Sequence, residues 1–67
     1  MKLRVKLAEV LHSRDLTQKQ LAEMTGIRTA AISELYNNQR TSINKEHIEK
    51  IAQALNITDI NELIEFK

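Results

Sequence analysis

Between positions 28 and 34 the chain reads Arg-Thr-Ala-Ala-Ile-Ser-Glu. At helical spacing Thr29, Ala30, Ser33 and Glu34 share one face, with Asn37 a turn further on. Ile32 and Leu35 fall on the opposite face. The first face is polar and short-chained, so it can approach a flat hydrogen-bonding surface closely. It can both donate and accept, which is what base edges in a nucleic-acid groove require. Arg28 stands at the mouth of this segment, where a charge has no core role. The polar run Asn37-Asn38-Gln39-Arg40-Thr41 follows directly, and Arg40 is of the type that meets phosphate oxygens.

Other chemistries find less support. His12 and His47 lie in different helical contexts with no paired nucleophile, so no Ser/His/Asp arrangement can be argued. There is no phosphate-cradling glycine loop, and the expectation is that the protein is not an enzyme. Without cysteine there is no disulfide or thiolate metal site. Two isolated histidines do not make a zinc site, so no metal or cofactor is expected. Tyr36 and Phe66 are the only aromatics and read as core residues instead of base-stacking platforms. No apolar run reaches the length of a membrane span, and the N-terminus lacks the apolar core of a signal peptide. The expectation is a cytoplasmic protein without membrane or small-molecule partners.

The elements that must position this face can be read from the same stretch. Residues 17–36, TQKQLAEMTGIRTAAISELY, hold two helical patterns hinged on Gly26, the chain's one glycine. Thr17 reads as an N-cap, with Gln20 as its capping-box partner. Leu21 and Met24 give that helix its apolar side. Ala22 is small enough for a close helix crossing, and Gly26 supplies the positive φ of the turn. Ile27 plugs the space behind it, and Ile32 and Leu35 anchor the next helix, about 29–37. This is the layout of a helix-turn-helix, whose second helix enters the DNA major groove.

The rest of the chain forms the scaffold. Leu7, Val10 and Leu11 predict a first helix over about 6–13. Asn44 caps a fourth helix with the stripe Ile48, Ile51, Ala52, Leu55, and Asn56 closes it. Thr58 caps a short fifth helix carrying Ile60, Leu63 and Ile64. Leu3, Val5 and Leu7 alternate with Lys2, Arg4 and Lys6, a strand period that Leu63 to Phe66 can partner. The basic trio can serve as an arm on DNA or as a solvated edge. The net charge is only +1, but it is unevenly spread. Residues 1–45 hold eight Lys/Arg against four Asp/Glu, and residues 46–67 hold two against five, so one side can face phosphate.

With LTQKQLAEMTGI (16–27), ISELYNNQR (32–40) and INKEHIEKIAQALNI (43–57), the chain resembles the lambda-repressor-like, Cro/repressor-type (XRE family) helix-turn-helix domains. The resemblance covers about 6–64. It implies one domain over residues 1–67: an all-α, compact five-helix lambda-repressor-like DNA-binding fold. Short extended segments at the two ends are the departure that the strand periods permit. It also implies a prokaryotic or phage-type transcriptional regulator, a repressor, acting on double-stranded DNA. Base readout then falls to Arg28, Thr29, Ala30, Ser33 and Glu34. Phosphate contacts fall to Thr17, Gln18, Asn37, Asn38, Gln39, Arg40, Thr41, Asn44 and Lys45.

Three positions depart from the family pattern. Arg28 stands where Ser or Thr usually caps the recognition helix. Either Thr29 caps a helix shifted by one residue, or Arg28 reaches phosphate or guanine. Asn38 replaces a usual glycine but tolerates left-handed geometry. Glu34 replaces a basic or small residue and can accept from cytosine N4. A homodimer through the fifth helix and the chain ends, with Ile60, Ile64 and Phe66, fits half-sites about 34 Å apart. The alternative is a protein-interaction module, such as the antitoxin of a toxin pair.

Overall fold

A computed structural model describes residues 1–67. The chain opens with strand β1 (Leu3–Val5), followed by helices α1 (Leu7–Ser13), α2 (Gln18–Thr25), α3 (Thr29–Tyr36) and α4 (Lys45–Leu55). A single 3₁₀ turn (Ile60–Glu62) then leads into strand β2 (Ile64–Phe66). The strands pair antiparallel with Leu3 opposite Phe66, Arg4 opposite Glu65 and Val5 opposite Ile64. Main-chain bonds extend the ladder at both ends. Lys2 and Lys67 exchange N–H···O bonds of 2.9 and 2.7 Å, and the Lys6 N–H donates to the Leu63 carbonyl at 2.6 Å.

Two expectations are corrected here. The fold has four helices, not five, and is not purely α. The segment expected to be a fifth helix makes one 3₁₀ turn, and its cap is Asp59, not Thr58: the Asn61 N–H donates to Asp59 Oδ1 at 3.0 Å. The reason is competition. Helix nucleation fixes several residues for one hydrogen bond, whereas residues 64–66 gain a ready partner in β1. The alternating ends do form the strand pair that their period suggested.

The core holds twelve buried apolar residues drawn from every helix, from Val5 of β1 and from the connecting segments at Ile27, Ile57 and Leu63. Leu7, Leu11, Leu21, Ile32, Ile51 and Leu63 are fully buried. Ala22, Leu35 and Tyr36 pack against them from the half-buried layer. Met24 is half exposed, because Leu21 alone carries the buried face of α2. Phe66 is 67% exposed and so is not a core residue. It sits on the last rung of the sheet, opposite the exposed Leu3, beyond the helices that cover Val5.

The helix ends follow the local signals. Gly26 has φ 76° and its N–H donates to the Ala22 carbonyl at 2.8 Å. Asn56 closes α4 at φ 56°. The Arg14 side chain donates to the Leu55 carbonyl at 2.8 Å, placing a cation on the negative end of α4.

Candidate nucleic-acid interface

The turn before α3 is built from neighbours. Thr17 Oγ1 accepts from the Gln20 N–H at 3.0 Å, and Gln20 Oε1 accepts from the Thr17 N–H at 2.9 Å. This is the capping box that the spacing predicted. At the far end of α2 the Thr25 hydroxyl donates to the Leu21 carbonyl at 2.8 Å and accepts from the Ile27 N–H at 3.2 Å. Buried Ile27 and Ile32 then fix where α3 starts and which way it faces.

Of the two alternatives at Arg28, the helix does not shift. Arg28 holds the N-cap position in extended conformation, and its carbonyl accepts from the N–H groups of Ala31 and Ile32. Its side chain makes no capping bond, so the exposed guanidinium remains available. Thr29 and Ala30 are exposed on the first turn of α3, and Ser33 and Glu34 are half-buried on the second. Asn37 closes the helix, its amide donating to Ser33 Oγ at 3.3 Å.

The loop from α3 to α4 is held from a distance. Asn38 adopts φ 53°, the left-handed geometry that its side chain tolerates. Its amide grips β1: Oδ1 accepts from the Val5 N–H at 2.7 Å, and Nδ2 donates to the Val5 carbonyl at 3.0 Å. This outer side of β1 is not bonded to β2, because the ladder bonds leave from Lys2 and Lys6 on alternate residues. One side chain thus acts as a one-residue third strand. Beyond it the Gln39 N–H donates to the Glu34 carbonyl at 3.0 Å, and Arg40 folds back over Glu34. Arg40 Nε and Nη2 both donate to Glu34 Oε2, at 3.1 and 2.8 Å. That carboxylate pushes the Arg40 guanidinium further above its ordinary range. Asn44 caps α4, accepting from the N–H groups of Glu46 and His47.

An open groove of about 840 Å³ runs between β1, α3 and the start of α4. It gathers Arg28, Glu34, Asn38, Arg40, Thr41 and Asn44 from the expected set. It also brings in Lys2 and Lys67, whose approach depends on strand pairing and has no local signal. Glu34 is the one acidic side chain on these walls, and it is already matched by Arg40. Thr17, Gln18, Thr29, Ala30, Ser33, Asn37, Gln39 and Lys45 lie outside the groove. The basic N-terminal trio is divided. Lys2 and Arg4 both line the groove and Lys6 does not, and Arg4 is held by Glu9 at 2.6 Å and Glu65 at 2.8 Å.

A family model for the Cro/C1-type HTH DNA-binding domain matches residues 6–67. The chain belongs to that family. No curated protein and no solved structure matches it. For a Cro/C1-type domain the arrangement is coherent. A buried frame of Leu21, Ile27 and Ile32 presents an outward, short-chained helix face, with the exposed Arg28 and the Glu34-paired Arg40 beside it. No helix is long and apolar enough to cross a membrane.

Proposed function

We propose that this chain is a sequence-specific regulator of transcription, a repressor, that reads the major groove of double-stranded DNA with α3. The observation that carries this reading is the exposure of Thr29 and Ala30 on the first turn of α3, behind a hinge fixed by Gly26 and Thr25 in a Cro/C1-type domain. Arg28, Thr29, Ala30 and Ser33 supply base readout, with Glu34 at the edge of the same face. Each good bidentate contact contributes roughly 1–3 kcal/mol of discrimination.

Phosphate contacts come from the side chains of Gln18, Gln39, Thr41 and Lys45, and from Asn37 and Arg40 when they leave Ser33 and Glu34. The side chains of Thr17, Asn38 and Asn44 are engaged within the protein. Their share of phosphate binding therefore falls to main-chain groups. A homodimer on paired half-sites, joined through exposed Ile60 and Phe66 with Ile64, raises affinity for such a small reader.

Selection from a randomised duplex library at moderate salt tests the reading. The expected result is an enriched motif that changes at one position on Thr29→Ala. Uniform weak binding without a motif would overturn it. Light scattering at tens of micromolar, with and without the selected duplex, tests the dimer.

A further inference from the structure

We infer that Glu34 is a gate on Arg40 that makes a backbone contact depend on base sequence. The inference rests on the DNA reading above and assigns Glu34 a role in specificity that direct base readout alone does not give it. Two donors of one guanidinium converge on a single oxygen of Glu34, six positions away across the end of α3. This is not a pairing that helix geometry provides, since helical neighbours lie three or four apart. The loop imposes it: Asn38 turns the chain at positive φ and is clipped to β1, and the Gln39 N–H is tied to the Glu34 carbonyl. The Arg40 side chain is 68% exposed and that of Glu34 36%, so both ends of the pair reach the surface that meets DNA.

The closed pair sets a condition on phosphate binding. Arg40 can turn both donors to a phosphate only by releasing Glu34. The released carboxylate then faces a polyanion, an unfavourable position unless a donor takes the place of the guanidinium. In the major groove the base donors are cytosine N4 and adenine N6. Where the sequence offers one of them to Glu34, the pair opens, Glu34 turns to the base and Arg40 to the phosphate. Elsewhere the pair stays closed and that phosphate contact is not made. A contact type that ordinarily carries no sequence information acquires some.

The test measures salt-dependent binding of the wild type and Glu34→Gln on the selected duplex and on an unrelated one. The wild type is expected to show a steeper slope on the selected duplex by about one phosphate contact. Glu34→Gln should tighten binding to the unrelated duplex about two- to five-fold, the scale of an exposed ion pair. It should also bring the two slopes together. Weaker binding to both duplexes, or unchanged discrimination, overturns the gate. Gln keeps the length and helix propensity of Glu, and a thermal melt confirms that the variant is folded. The Arg40 Nε–H resonance in the free protein should move on Glu34→Gln, and an unmoved resonance also overturns the proposal. A wild type with no preferred duplex overturns the DNA reading itself. A preferred duplex with unaltered discrimination in Glu34→Gln overturns the gate alone.

Discussion

The α2–α3 turn and the α3–α4 loop flank the same helix, and each contains a residue at positive φ: Gly26 at 76° and Asn38 at 53°. They are stabilised in opposite ways. The turn is closed by bonds that each span four positions or fewer, through Thr25, Leu21, Ala22 and Ile27. The loop is closed by a contact 33 positions away, between Asn38 and Val5. A hinge that must set helix orientation is built locally and forms with its helices. The loop proposed to meet the DNA backbone has local bonds of its own but takes its anchor from the assembled domain.

The largest effect expected from breaking this contrast belongs to Asn38→Ala. It removes both bonds to Val5 and leaves an unassisted Cβ in left-handed geometry, at a cost of about 2–3 kcal/mol by urea unfolding. A loss under about 1 kcal/mol would mean that the loop holds itself. Gly26→Ala comes next. No atom lies within 4 Å of an added Cβ, so only the conformational cost of about 1–2 kcal/mol applies. Exchanging residue types sharpens the difference. Gly26→Asn should cost less than Gly26→Ala, while Asn38→Gly keeps the φ yet still loses the clip, about 1 kcal/mol. Thr25→Val deletes the hydroxyl that staples the turn, with a loss of about 0.5–1.5 kcal/mol.

The smallest effect tests the sheet that holds the loop's distant anchor. The Arg4 hydrogen bond, helped by a bond from its own backbone, holds the Glu9 carboxyl below the usual carboxylate range. The folded protein therefore binds that proton less readily than the unfolded chain. The associated stability is present above the usual carboxylate range and fades as pH falls through the lowered value. Arg4→Met should lower the unfolding midpoint slightly at neutral pH. That difference should shrink as pH falls through the lowered value of Glu9. A constant difference across that range would assign the effect to packing.

The same contrast explains what the sequence could reveal. The Thr17–Gln20 box, the Gly26 turn and the Asn44 and Asn56 caps act within about four residues, and each was legible from residue types and spacing. The outward face of α3 was legible too, because Ile32 is buried behind it. The function of Asn38 was half legible. Its tolerance of positive φ follows from its chemistry, but its grip on Val5 depends on where β1 lies. Arg4 with Glu65 and Arg14 with the Leu55 carbonyl are likewise products of the assembled fold. The expected fifth helix failed because strand pairing outcompeted a weak local pattern. Phe66 and Met24 were misplaced because apolar type alone does not say whether a partner surface exists.

The sheet has a further consequence, for synthesis. A ribosome delivers β1 first and β2 after all four helices, so the two strands meet only when nearly the whole domain has left the exit tunnel. Contacts between such distant segments are slow to close. Val5, and through it Asn38 and the loop that carries Arg40, reach their final positions after that meeting. The nascent chain can assemble its hinge and α3 early, but the loop proposed to bind the DNA backbone is finished last.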